Sequence, residues 1–270
     1  MKSKNNFQKI KNNFFLEVKK NLFFALNLFF AAGLFFSTAC KPTRTFVADQ
    51  KVSQYKINAT DEKDTAVDKM IKPFREKMSS QMDEVIGVAA KELSLKSPES
   101  TLGNWTCDVM LDQSLKFIGT RADVTYTNSG GLRIKSIGKG NITVGKIYEL
   151  MPFDNVYVLV QCDSTIMQQF LDYVAAKEGG PIAGVRFEIA NQKATNITIG
   201  GVKLNSGRNY WLGTSDYLVN GGDGLGFLKP LPRKDKGVFL RDVYIEGVRA
   251  ATREGKNVGA NTDGRIIIRN

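Results

Sequence analysis

The sequence predicts a mixed α/β domain over residues 68–270, a mixed sheet flanked by helices. Three observations carry that expectation. Apolar residues recur at three- and four-residue spacing in some stretches and at two-residue spacing in others, and the two kinds alternate along the chain. Two strings of paired glycines, Asn128-Ser129-Gly130-Gly131-Leu132-Arg133 and Asn220-Gly221-Gly222-Asp223-Gly224, each follow a predicted strand. Residues 1–67 differ in kind from the rest, running from lysine-rich to apolar to polar.

The first segment reads as an address. Residues 1–39 hold six lysines and one glutamate, and the stretch Leu22–Phe36 is broken only by Asn27. Such a run suits the core of a signal peptide and is shorter than the roughly 20 residues of a membrane span. Ser37-Thr38-Ala39-Cys40 resembles the lipobox of bacterial lipoproteins, with Ser37 where a leucine is usual. The resemblance implies cleavage before Cys40, lipid on its sulfur, and a place on the periplasmic or outer surface of a bacterial membrane. A plain secretory signal and an uncleaved anchor are the alternatives. Residues 40–67, polar and marked by Pro42, read as a lipidated tether.

The domain's elements follow in order. Met70, Ile71, Phe74, Met78, Met82, Val85, Ile86 and Ala89 predict a helix over 68–93, with Pro73 tolerated early in it. A second helix is expected over 104–117, with Trp105, Val109, Leu111 and Leu115 as its apolar stripe. Residues 122–127 are rich in β-branched types and predict a strand ending in the first glycine string. Residues 142–144 read as extended and 146–150 as a short helix stopped by Pro152. Val156–Cys162 is the clearest buried strand, and Asp163 and Ser164 are cap residues for a helix over 165–176. Residues 185–190 and 196–199 read as a hairpin, with Gly200-Gly201 turning into 202–204. Tyr210–Ser215 is a strand running into the second glycine string. A helix over 238–254 and a strand over 265–269 close the domain.

Composition narrows the chemistry. The chain has no histidine, which removes the usual general base and the commonest zinc ligand. No Gly-x-Ser-x-Gly elbow or Walker loop appears, and Gly130-Gly131 lacks the third glycine of a dinucleotide fingerprint. The net charge of +11 is partly confined to the first 39 residues, and no block of five lysines or arginines occurs. A nucleic-acid polymer is therefore not the expected partner. Cys107 and Cys162 are expected as buried free thiols, with a bridge between them as the alternative.

What remains is binding. Glycine pairs let a backbone approach a ligand closely. Arg133 just past such a turn can fork onto a phosphate or carboxylate. Phe153, in Met151-Pro152-Phe153-Asp154-Asn155, and Tyr217, six residues before Asp223, could stack a flat base between them; the alternative is that both rings pack in the core or in turns.

The order of these motifs resembles the C-terminal, substrate-binding domain of the 5′-nucleotidase and UDP-sugar hydrolase family. Gly103-Asn104 opens a helix; Asn-Ser-Gly-Gly-Leu-Arg, Tyr148–Asn155 and Asp216–Gly224 then follow in sequence. The resemblance covers residues 85–270. It implies that Asn128, Gly130 and Gly131 form a ligand-contacting loop and that Arg133 meets phosphate or carboxylate-like groups. Phe153 and Tyr217 would sandwich the base, Asn155 contact it, and Asp223 accept from ribose hydroxyls. Tyr217 stands where the family usually has phenylalanine. The basic residue expected before Gly103-Asn104 is missing from residues 97–102. The family's histidine-bearing metallophosphatase domain has no counterpart before residue 85. The resemblance thus implies the recognition half of a split enzyme, with no cofactor in this chain. Divalent metals would sit on a separate metallophosphatase chain, and this chain alone would be inactive. The alternative is a nucleoside- or nucleotide-binding envelope lipoprotein with no catalytic partner.

Overall fold

The computed structural model describes residues 64–269. The predicted signal peptide, Cys40 and nearly all of the predicted tether lie outside the described residues. The first element, α1 (Thr65–Met82), is capped by the Asp64 carboxylate, which accepts from the Ala66 and Val67 N–H groups. Residues 65–67, expected in the tether, are thus helical, and Pro73 lies inside the helix rather than in its first turn.

The helix expected to reach residue 93 stops at Met82. Val85–Ala89 is instead strand β1, with Ile86 and Ala89 buried and Val85 and Val88 exposed. The burial pattern does not alternate strictly, because the ladder is irregular between Val85 and Gly87; what makes the segment a strand is its antiparallel pairing with a distant segment, Gly140–Thr143. Strand β2 (Leu93–Ser94) pairs with β4 (Ser136–Ile137), and Gly140–Thr143 is β5. Helix α2 (Thr101–Ile118) begins three residues before the expected start, because the Ser100 hydroxyl accepts from the Gly103 N–H. It ends at Gly119 in the left-handed region. Leu115, expected on its buried stripe, is exposed; Leu102 and Met110 are buried there.

The remaining elements are β3 (Val124–Tyr126), α3 (Val144–Leu150), β6 (Val156–Cys162), α4 (Ser164–Ala176), β7 (Ile182–Ala183), β8 (Val185–Ala190), β9 (Lys193–Ile199), β10 (Val202–Lys203), β11 (Tyr210–Ser215), α5 (Asp216–Val219), β12 (Arg233–Phe239), α6 (Leu240–Arg253) and β13 (Ile266–Ile268). Strands β6, β8 and β11 have the expected bounds. Val144, expected in an extended segment, opens α3 behind its Thr143 cap. Val238, expected in the last helix, belongs to β12, an edge strand the apolar pattern does not reveal.

A five-stranded sheet of order β12-β6-β11-β3-β7 forms the middle layer. Tyr157 and Leu159 of β6 enter one core with Leu102, Trp105 and Met110 of α2 and Tyr244 and Val248 of α6. Val158 and Val160 enter a second core with Phe170 and Leu171 of α4 and Phe187 of β8. Strand β6 is therefore covered on both faces, which explains its nearly continuous apolar run. The second core is closed by a four-stranded sheet of order β10-β9-β8-β13. The mixed α/β expectation holds in three layers. Cys107 and Cys162 are free and buried, and burial pushes both thiols up to about 12.

Candidate nucleotide-binding cleft

Sheet topology gathers the site. Strands β3 and β11 are parallel neighbours, in register Leu212↔Val124 and Gly213↔Thr125. Their C-terminal ends therefore meet the same edge of the sheet. The first glycine string leaves β3 there, and the second follows β11 and the short α5. Strand β6 runs antiparallel to β11, with Tyr157 opposite Ser215, so its start lies at the same edge. Asn155 and Phe153 immediately precede that start. Segments far apart in the chain thus converge where the strands end.

Gly130, Gly131, Phe153, Asn155 and Tyr217 line one cavity of about 280 Å³. Phe153 and Tyr217 are both exposed, at 42% and 48%, so neither ring is spent on the core. The Arg133 guanidinium lies over the Phe153 ring, 5.6 Å from its centroid, and donates weakly to the Gly130 carbonyl at 3.4 Å. The Arg133 side chain is exposed.

Asp223 ties the two glycine strings together. The Asn128 side-chain amide donates to one carboxylate oxygen at 2.7 Å, and the Tyr217 hydroxyl donates to the other at 2.9 Å. This hydrogen bond and the charge of Asp223 push the Tyr217 hydroxyl above its usual value, keeping it a neutral donor. The Tyr173 hydroxyl on α4 donates to the Asp223 carbonyl at 3.2 Å. Two glycines permit the packing. A Cβ on Gly131 would stand 2.7 Å from the Asn128 side-chain oxygen, and one on Gly222 would stand 2.4 Å from the Tyr217 ring.

Two supporting residues escaped sequence reasoning. Arg241 on α6 donates to the Phe153 carbonyl at 3.2 Å and pairs with Asp154, while its guanidinium packs over the Tyr148 and Phe239 rings. It holds the Phe153 loop from 88 residues away, and nothing in the local sequence signals that. Tyr173 read only as a residue of a helix. Conversely, Gly103-Asn104 is structural. Asn104 is buried and donates to Glu99 and to the Asn261 carbonyl, and it does not line the cavity.

Among the described residues, no three His, Cys, Asp or Glu side chains are grouped to hold a metal ion.

The fold and the cleft define a ligand-recognition domain, with aromatic platforms and polar groups at the ends of sheet strands. Residues 85–230 match the family model described as 5′-nucleotidase, C-terminal domain, and the chain belongs to that family. A 5′-nucleotidase of Vibrio parahaemolyticus is 29% identical over 171 residues, covering 60% of this chain and 29% of that protein. A probable 5′-nucleotidase of Treponema pallidum is 27% identical, covering 64% of this chain and 32% of its own length. The chain thus spans about a third of these relatives. Among solved structures, a 5′-nucleotidase precursor from Thermus thermophilus superposes with a TM-score of 0.62 at 27% identity. That match covers 77% of this chain and 44% of the other.

Proposed function

We propose that this chain is the nucleotide-recognition component of a split 5′-nucleotidase in nucleotide catabolism, working with a separate metallophosphatase chain from a lipid anchor at Cys40. The carrying observation is the shared cavity of Phe153 and Tyr217, with Arg133 packed on one ring and Asp223 hydrogen-bonded to the other.

Its size supports a base. Pockets for whole small molecules run from about 300 to 1,000 Å³. A cavity of about 280 Å³, at the small end of that range, has room for a flat heterocycle. In this reading the two rings grip the base and Asn155 contacts its edge. Asp223, its carboxylate already oriented by two donors, accepts from the ribose hydroxyls through its remaining lone pairs. Arg133 swings from the Phe153 ring toward the phosphate. The residues orient and hold the nucleotide, and the partner's metals activate the attacking water.

Titration calorimetry with adenosine, AMP and a UDP-sugar tests binding. Heat is expected with wild type and should be lost in Phe153→Ala and Tyr217→Ala. Equal, negligible heats in all three would end the nucleotide reading. The purified chain should not hydrolyse AMP by itself, and a pulldown from envelope extract should recover a metallophosphatase. Binding without that partner would favour a nucleotide-capturing lipoprotein. Radiolabelled fatty acid should enter wild type and not Cys40→Ser.

A further inference from the structure

The helix α1 is an unusual element. It has 18 residues, none of them buried, and only its last residue, Met82, packs partly against the body of the domain. In proteins most helical stability comes from packing an amphipathic face against something else. Here the face is uncovered: Val67, Met70, Ile71, Phe74 and Met78 are all exposed, Met70 and Phe74 at 71% and 69%. At 100° per residue these five fall within an arc of about 100°, a single stripe. Arg75 borders the stripe on one side and Lys77 on the other. The helix carries four cations, Lys69, Lys72, Arg75 and Lys77, against Asp68 and Glu76. Arg75 donates to Asp68 at 3.0 Å and Lys72 lies 3.8 Å from Glu76, which leaves Lys69 and Lys77 to set its balance.

We propose that the apolar stripe of α1 lies in the interface of an anionic lipid bilayer, so that the domain rests on its membrane. The proposal rests on the envelope reading above. Three features choose lipid as the occupant. A continuous apolar stripe flanked by cations is what an interfacial helix presents, its apolar side about 5–10 Å into the headgroup boundary and its basic stems reaching outward. No described helix is long and apolar enough to cross a membrane, so α1 lies on the surface. Finally, only 24 residues separate Cys40 from Thr65. Even fully extended they span at most about 85 Å. An anchor at Cys40 therefore confines α1 close to the bilayer, where a weak interfacial affinity suffices.

The test uses the full chain in vesicles of phosphatidylethanolamine and phosphatidylglycerol. A fluorophore sensitive to polarity is attached at Met70→Cys, at Phe74→Cys and, on the opposite side of the helix, at Ser80→Cys. In the anchored chain the Cys40 sulfur is blocked by lipid, and Cys107 and Cys162 are buried and stay protonated, so the introduced cysteine alone takes the label. A nitroxide lipid should quench positions 70 and 74 about threefold or more over position 80, because the two sides of a helix differ in depth by its diameter. Arg75→Glu with Lys77→Glu should reduce that contrast. Flotation with equal quenching at all three positions would overturn the inference and leave the anchor standing. Failure to float would overturn both. Labels at 70 and 74 already shielded from water without vesicles would show a protein cover and would also overturn it.

Discussion

Gly222→Ala separates the aromatic platform from the stability of the domain. An added Cβ would stand 2.4 Å from one Tyr217 ring carbon, 2.5 Å from a second and 2.7 Å from a third. Cβ contacts of that length do not occur, so something must move. Gly222 has no positive φ, so alanine is conformationally acceptable there. The obstacle is a half-exposed ring that can swing toward solvent, and not buried backbone. The substitution should therefore leave the unfolding free energy within about 1 kcal/mol of wild type. It should displace the ring and break its hydrogen bond to Asp223. Loss of one stacking aromatic weakens single-base binding by roughly 5- to 150-fold. Calorimetry with AMP should find Gly222→Ala near Tyr217→Ala in affinity, and the double variant little worse than either, since both remove the same contact. Wild-type affinity in Gly222→Ala would refute the sandwich. So would additive losses in the double variant.

Other perturbations test the frame. In Gly247→Ala an added Cβ would meet Val109 at 2.3 Å across the α2–α6 contact. Overpacking of about 1–3 kcal/mol should exceed the gain of about 1 kcal/mol in helix propensity, so denaturant unfolding should show net loss that Val109→Ala relieves. Arg265 is buried and donates to Asp108 at 2.8 Å, to Asp263 at 3.1 Å and to the Ile182 carbonyl at 2.9 Å. Arg265→Leu should cost about 3 kcal/mol: Asp108 and Asp263 keep partial access to water, whereas the Glu99 carboxylate, 3.9 Å from the guanidinium, is buried. Hydrogen bonds from Lys116 and Arg253 hold the Glu246 carboxyl below its usual value. A group depressed on folding stabilises above its unfolded pKa of about 4.3 and loses that contribution as pH falls through the lower folded value. Thermal melts below about pH 5 should therefore show a steeper acid decline in wild type than in Glu246→Gln. Arg241→Ala should weaken AMP binding, because the Phe153 loop loses its support on α6.

Strands β6, β8 and β11 were legible to the residue because their apolar runs are bounded by cap and turn residues. Strand β1 was not. Val85, Ile86 and Ala89 continue the helical spacing of α1 past Met82, and only pairing with β5 makes them a strand. Strand β12, reading Arg-Lys-Asp-Lys-Gly-Val-Phe, has almost no apolar signal because it is a solvated edge whose strand partner is β6. Asp223 read as a ligand acceptor; the structure adds that its carboxylate receives Asn128 and Tyr217, a pairing no local signal announces.

Sequence alone determined the residue types at the cleft: paired glycines beside an amide and an arginine, two aromatics near polar groups, and a chain without histidine. Those are local properties, written in side chains and backbone freedom. Only the tertiary structure decided that Gly130, Gly131, Phe153, Asn155 and Tyr217 share one cavity, with Arg133 packed on one ring and Asp223 hydrogen-bonded to the other. The parallel pairing of β3 with β11 and the antiparallel return of β6 bring three distant segments to one sheet edge. Such pairings are made between residues far apart in the chain, so no local pattern encodes them.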